Sequence, residues 1–160
     1  MLALVAGFLA LQAGAGGGAD WWYVVMSGEP GEMQAHYADR ASIRRSGDHV
    51  TISEGREGET PDEQGIIASR MLMEYDCRAR TGRIVTYVFI GAGDRVLGQG
   101  DAGETLHPMS PGSVYDSTMD FACGRAEGLE QLDQLGLREH ALLLFRDYIE
   151  HLAARPEGSN

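Results

Sequence analysis

Residues 66–90 read IIASRMLMEYDCRARTGRIVTYVFI, and they give the clearest indication of the architecture. Two apolar segments, Ile66–Asp76 and Ile84–Ile90, lie on either side of the turn residues Arg80-Thr81-Gly82. The second segment is rich in β-branched and aromatic residues, which are typical of strands. The apolar content of the first fits a strand or a helix, and the clear strand beside it favours a strand. We therefore predict a β-hairpin over these residues.

Further segments on both sides of the hairpin also have the pattern of strands. Trp21–Met26 is aromatic and β-branched. Ala35–Asp39 and Ala41–Arg44 form a short extended segment before the turn at Ser46-Gly47-Asp48. In His49–Ser53 polar and apolar residues alternate, which places the apolar ones on one face. Arg95–Gln99 follows a turn after the hairpin. We expect all of these segments to join the hairpin in one sheet.

The segment Glu127–Ala154 has the strongest helical pattern in the chain. Leu129, Leu132 and Leu135 recur at helical spacing. Gly136 separates them from a longer helix with a broad apolar stripe. The stripe consists of Ala141, Leu144, Phe145, Tyr148, Ile149 and Leu152. Strands first and helices last indicate an α+β fold, with an antiparallel sheet of about five to six strands and C-terminal helices packed on one face. We expect the stripe to pack on its own sheet or, alternatively, to form a homodimer contact.

The first nineteen residues contain no charged side chain. The apolar run Met1–Leu11, followed by Ala13-Gly14-Ala15, indicates a signal peptide over residues 1–19 that is cleaved near Ala15. The run is shorter than the roughly 20 apolar residues that span a bilayer. A buried apolar helix is the alternative, and Gly16–Gly18 would end it abruptly. No Lys or Arg precedes the run, so either export tolerates this or the true start lies upstream.

No cysteine follows the apolar run, so we expect no lipid attachment and no stable membrane anchor after cleavage. The sequence therefore predicts a periplasmic or secreted protein. The chain has 13 basic residues, all of them arginine, against 24 acidic residues, which gives a net charge of −11. Nucleic-acid binding depends on neutralising phosphates, so we predict no nucleic-acid partner. We interpret the negative charge as a contribution to solubility.

Cys77 and Cys123 are the two cysteines of the chain. In an exported protein, two cysteines are most simply a disulfide. A reactive thiol or a metal site is the alternative, but neither cysteine belongs to a C-x-x-C motif and no histidine lies close to them in sequence. In the chain-entropy description, closing this loop stabilises the fold by at most about 4 kcal/mol. We expect the bond to pin the region before the C-terminal helices to the sheet.

The polar residues form no recognisable catalytic or metal-binding motif. The histidines lack a zinc spacing such as H-E-x-x-H; they are His36, His49, His107, His140 and His151. The acidic segment Glu54–Gly65 contains no apolar residue and lacks the calcium-loop pattern, so we expect a solvated loop. Ser113 opens a segment in which we expect a helical turn, but G-x-S-x-G is absent. We predict no catalytic residue, cofactor or metal site; a hydrolase would need a histidine within hydrogen-bond reach of Ser113.

A series of short motifs resembles the surface-adhesin protein E family over about residues 20–125. They are, in order, Trp22-Tyr23, Tyr37, Asp39, Ser42, Ile43, Gly47–Ile52, Asp76-Cys77, Tyr87–Phe89, Pro111-Gly112-Ser113 and Cys123. The resemblance implies a secreted or cell-surface bacterial domain with an antiparallel sheet, a helix and a Cys77–Cys123 link. The family includes an adhesin that binds host extracellular-matrix proteins. This chain differs in having no lipidation cysteine and in its additional helical segment, residues 126–155, which we expect to pack on the same domain.

Two functional hypotheses follow from these patterns. The first is an exported, non-enzymatic domain that works through contact with a protein partner, as the resemblance implies. The second is a periplasmic small-ligand-binding or envelope-maintenance protein. That second hypothesis requires a pocket between sheet and helix that is lined by aromatic side chains and a few polar groups.

Overall fold

A computed structural model describes residues 18–132 and 135–154. Almost all of the predicted signal peptide, including the cleavage site near Ala15, lies outside these residues. The strands are β1 (Trp21–Ser27), β2 (Gln34–Ser46), β3 (His49–Gly58), β4 (Ala68–Asp76), β5 (Thr81–Ile90), β6 (Val96–Asp101), β7 (His107–Pro108) and β8 (Glu130–Gln131). The helices are α1 (Val114–Ala122) and α2 (Leu137–Ala153), and a 3₁₀ turn covers Ala92–Asp94.

The strands of the described chain form one antiparallel sheet in the order β6-β5-β4-β3-β2-β1-β8, with β7 paired to β5. The predicted hairpin is β4–β5, whose register opposes Ala68 to Ile90 and Asp76 to Thr81. The antiparallel α+β class is therefore confirmed. The sheet has more strands than the five to six predicted, because β7 and β8 are two-residue strands, too short for any alternation to be read in the sequence.

The segment predicted as a solvated acidic loop instead begins with five residues of β3. Glu54 and Glu57 are only 3% and 2% exposed. Both carboxyl groups have partners, since the buried Tyr75 hydroxyl donates to Glu54 at 2.6 Å and the partly exposed Arg70 pairs with Glu57 at 2.6 Å. The loop prediction is wrong for residues 54–58, because these partners make it possible to bury acidic side chains in a central strand.

The two faces of the sheet carry different helices. Tyr37 and Ala38 are consecutive in β2, point to opposite faces and are both fully buried. Ala38 packs with Met119 of α1, and we call that surface the α1 face. Tyr37 packs with Phe145 of α2 on the other surface, the α2 face. Helices therefore cover parts of both faces, whereas the sequence predicted a helical layer on one face only.

Helix α2 is fixed to the sheet by apolar packing and one buried hydrogen bond. Leu137, Ala141 and Phe145 pack against the α2 face. The Tyr37 hydroxyl and His140 Nδ1 lie 3.0 Å apart, in a pair that joins β2 to the first turns of the helix. Part of the predicted stripe thus packs on its own sheet. Within the described residues, neither helix is long and apolar enough to cross a membrane.

The short helix predicted from the leucine spacing before Gly136 is wrong. Glu130 and Gln131 instead pair with β1 as the edge strand β8, and the backbone of Leu132 donates to the Trp21 carbonyl at 2.9 Å. Gly136 is the residue that precedes α2, in an extended conformation. Three leucines at helical spacing did not suffice to form a helix, because the backbone of this segment gains hydrogen bonds from the open edge of β1 instead.

A disulfide joins Cys77 to Cys123. Cys77 directly follows β4, and Cys123 is the C-terminal cap of α1. Next to the bond, Arg80 pairs with Asp116 and, at 3.0 Å, with Asp120 of the same helix. The covalent link therefore ties the hairpin end of β4 to α1, a full helix where the sequence predicted only a helical turn.

Candidate functional site

Most of one half of the α1 face has no helix over it in the described residues. Helix α1 packs chiefly on β1, β2 and β3 and reaches β4 at Tyr75 through Thr118, while the rest of the β4–β6 half of that face lies beyond the helix. We call this surface the open α1 face. It is formed by Arg56, Met71, Tyr87 and Phe89, with the buried Ser69 between them, His36 at one end and a cavity at the other.

Stacked aromatic rings lie at the edge of the open α1 face. The ring centroids of Tyr87 and Phe89 are 4.7 Å apart at an interplanar angle of 31°. Their cross-strand partners on the edge strand β6 are Gly100 and Gly98. A Cβ atom at Gly100 would stand 3.1 Å from the Tyr87 hydroxyl oxygen, so the ring lies across the glycine backbone. The edge strand thus adds no side chain over these half-buried rings.

A buried polar network connects the sheet to α1. The Tyr75 hydroxyl donates to Glu54 at 2.6 Å and lies 2.8 Å from the hydroxyl of Thr118 on α1. Burial raises the pKa of Glu54 to about 7, although the hydrogen bonds from Tyr75 and Thr118 oppose that shift. The protonation state of one carboxyl group is therefore linked to the position of the helix.

A polar row crosses the sheet at the end of the open α1 face. His36, Arg56, Ser69 and Phe89 are successive cross-strand neighbours from β2 to β5. His36 Nε2 lies 3.0 Å from the hydroxyl of Ser27. Burial, together with the positive charge of Arg56, lowers the pKa of His36 to about 4, so its ring is neutral at pH 7. Arg56 is the charged member of this row.

A cavity of about 410 Å³ opens between the start of α1 and the β4–β5 hairpin. Its lining is mainly apolar, from Met73, Ile84 and Met109, and Tyr115 of α1 adds an aromatic ring that is 40% exposed. His107 is also part of the lining. This is a pocket between sheet and helix with an aromatic residue and few polar groups, and its volume lies within the usual range of ligand sites.

A second cavity, of about 480 Å³, lies on the α2 face and is more highly charged. Its lining includes Glu57, Arg70 and Arg138. These groups already have protein partners, since Arg70 pairs with Glu57 and Arg138 donates to the Gly58 carbonyl. Their hydrogen-bonding capacity is used within the fold, and the open α1 face is the better candidate for a site.

Ser113 has a structural role in the described chain. It is the N-terminal cap of α1, where its hydroxyl accepts a hydrogen bond from the Asp116 backbone at 3.2 Å. Among the described residues it has no hydrogen bond to a histidine. The histidines are dispersed: His49 lies 3.3 Å from Glu74, and His140 pairs with Tyr37. In the part of the chain that is described, no group of three His, Cys, Asp or Glu side chains is placed to hold a metal ion.

The sequence interpretation missed Glu54 and Arg56, the main polar groups of this face. Both were assigned to the solvated loop because no apolar residue accompanies them. The signal that could have found them is the period of two in β3, because Glu54 and Arg56 continue the series of Val50 and Ile52. That series puts them on the same face as the buried apolar residues.

Most of the chain matches a known protein family. A family model described as Surface-adhesin protein E matches residues 22–124. The matched segment runs from β1 to just beyond Cys123, so it contains α1, both cysteines and the whole open α1 face, while α2 lies outside it. Neither the curated proteins nor the solved structures provide a match to this chain.

Proposed function

This chain belongs to the surface-adhesin protein E family, and from that membership we propose that it is an exported domain that binds another protein through the open α1 face. We propose further that it is non-enzymatic and works in the periplasm or outside the cell. A disulfide is consistent with such an oxidising compartment, because disulfides rarely persist in the cytosol.

The observation that carries this proposal is the stacked Tyr87–Phe89 pair on an uncovered half of the sheet. Aromatic residues, methionine and arginine are enriched in the cores of protein interfaces, whereas lysine and the acidic residues are depleted there. The open α1 face has this composition: it combines the two rings with Met71 and Arg56 in a chain that is otherwise strongly acidic.

Removal of the aromatic pair tests the proposal. We expect the double substitution Tyr87→Ser with Phe89→Ser to weaken partner binding at least about tenfold, because aromatic anchors supply a large share of interface energy. Binding would be measured against a panel of purified extracellular-matrix proteins and a periplasmic extract. Leu142→Ser is the matched control, since Leu142 is 48% exposed on α2, away from the open α1 face.

Two results would count against protein binding through this surface. One is the absence of any partner above background for the unmodified protein. The other is equal loss of binding in the aromatic variant and in the Leu142→Ser control. The variants would first be compared by thermal melting, so that a loss of binding is not confused with a loss of fold.

The cavity beside Tyr115 supports a second candidate, a binding site for a small apolar ligand. We expect anilinonaphthalene sulfonate, an anionic dye with an apolar ring system, to bind saturably, and Ala102→Phe to abolish the fluorescence gain by filling the cavity that Ala102 lines. Ala153→Phe, at an exposed position of α2, adds the same ring elsewhere and should leave dye binding unchanged. Equal dye binding in both variants would rule out this site.

A further inference from the structure

We propose that Arg56 is a carboxylate-binding residue, and that the partner presents an acidic residue next to an aromatic or apolar one. This inference rests on the proposed function, because it names the chemistry of the partner segment that the open α1 face would take. It depends on three features of Arg56: a guanidinium without an acidic partner, a neighbouring carboxyl group that is already engaged, and an aromatic surface beside it.

The guanidinium of Arg56 is incompletely satisfied. Its Nε atom is buried and makes no hydrogen bond, and no carboxylate of the described residues forms an ion pair with it. Other arginines of the sheet are paired, as Arg70 is with Glu57 and Arg83 with Glu74 at 2.6 Å each. A guanidinium is always charged, and a charge that is partly buried without a counter-ion is costly. An incoming carboxylate would supply that counter-ion.

The nearest acidic group on the same strand and face does not fill this role. Glu54 is two residues from Arg56, but its carboxyl accepts the hydrogen bond from Tyr75 at 2.6 Å. Because burial raises the pKa of Glu54 to about 7, this group is only partly ionised at neutral pH. Arg56 therefore keeps a positive potential on this face, and that charge contributes to the lowered pKa of His36 beside it.

The surroundings of Arg56 select a carboxylate with an apolar neighbour. The guanidinium fork can donate two parallel hydrogen bonds to a carboxylate or to a phosphate. The single charge of Arg56 balances a carboxylate, whereas a doubly charged phosphate would keep an uncompensated negative charge in a molecule whose net charge is already −11. Ser69 separates Arg56 from Phe89 in the cross-strand row, and the Phe89 ring stacks on Tyr87. A segment with an acidic side chain bound at Arg56 would place its neighbouring ring or apolar group on this stack.

The test uses the full chain and three small probes followed by NMR. Phenylacetate carries both a ring and a carboxylate, acetate only the carboxylate, and 2-phenylethanol only the ring. We expect phenylacetate to shift the Nε–H signal of Arg56 and the ring signals of Phe89, and to bind about tenfold more tightly than either other probe. The Arg56 signal is assigned by its absence from the spectrum of Arg56→Gln.

Arg56→Gln should weaken phenylacetate binding at least about tenfold, because it removes the charge and the guanidinium fork. Arg95→Gln, which removes the same charge at an exposed position beyond the edge of this face, should bind as the unmodified protein does. Arg56→Lys keeps the charge but lacks the two parallel donors of a guanidinium, so its affinity for phenylacetate should be intermediate. This variant replaces Arg56→Gln in the test if Arg56→Gln folds poorly.

The inference is overturned if phenylacetate leaves the Arg56 and Phe89 signals unmoved, or if the two glutamine variants bind it equally. These results are separate from the test of the proposed function. If a protein partner binds through Tyr87 and Phe89 but phenylacetate does not bind at Arg56, only the carboxylate site is refuted. A carboxylate site at Arg56 without any protein partner would refute the proposed function alone.

Discussion

Among single residues of the α1 face, the buried Glu54 and the partly buried His36 have pKa values shifted in opposite directions. Burial raises the pKa of Glu54 from 4.5 to about 7 and, with the charge of Arg56, lowers the pKa of His36 from 6.5 to about 4. Folding therefore favours the neutral form of both. Each difference corresponds to roughly 3 kcal/mol of pH-dependent stability.

The two groups give pH dependences of opposite sign. Glu54 binds its proton more tightly in the folded protein, so its contribution is fully present below pH 4.5 and is lost as the pH rises through 7. His36 binds its proton less tightly when folded, so its contribution is present above pH 6.5 and is lost as the pH falls through 4. Between pH 4.5 and 6.5 the two slopes cancel.

We therefore predict opposite pH profiles for the two single variants. The free energy of unfolding of Glu54→Gln should increase from pH 4.5 to 6.5, because only the His36 contribution remains, and that of His36→Gln should decrease over the same range. Urea unfolding at a series of pH values measures both slopes. The free energy of unfolding of the unmodified protein should change little over this pH range. Parallel profiles for the two variants would contradict this assignment, whatever their absolute stabilities.

At the scale of elements, local patterns predicted the strands better than the helices. The hairpin β4–β5 follows from its apolar and aromatic residues and its turn, since those are the features that a central antiparallel pair requires. The predicted strand ended too early, at Ser53, because burial of Glu54 depends on Tyr75, which lies 21 residues further along the chain. A partner so distant in sequence leaves no trace in the local pattern.

The same limit explains the helices and the candidate site. Helix α1 is stabilised by the Ser113 cap, by Arg80 and by the bond to Cys77, and the last two of these contacts come from β4 and its turn. Ser113 opens the segment in which the sequence predicted only a helical turn, and its hydroxyl caps a full helix. Tyr87 and Phe89 were recognised as strand residues, but their exposure depends on which half of the sheet α1 leaves uncovered, and that is a property of the tertiary fold.

At the scale of the whole molecule, the disulfide links the parts on which the open α1 face depends. It joins the end of β4 to the end of α1, while α2 packs on the opposite face and contains no cysteine that could link it to the sheet. The cavity beside Tyr115, the network of Glu54 and the boundary of the open α1 face all depend on where α1 lies. Loss of the bond should therefore affect both the stability and the α1 face.

We predict that reduction of Cys77–Cys123 lowers the free energy of unfolding by as much as about 4 kcal/mol, because the unfolded chain regains the entropy of an open loop. Thermal melting with and without reductant measures this loss, and a thiol-reactive dye confirms that the unreduced protein has no free thiol. The double variant Cys77→Ala with Cys123→Ala should melt like the reduced protein and be insensitive to reductant. Dye binding in the cavity should weaken in parallel, since Tyr115 lies on the helix that the bond holds. An unchanged melting temperature, or free thiols in protein purified from its native compartment, would show that α1 is held by its ion pairs and apolar packing instead.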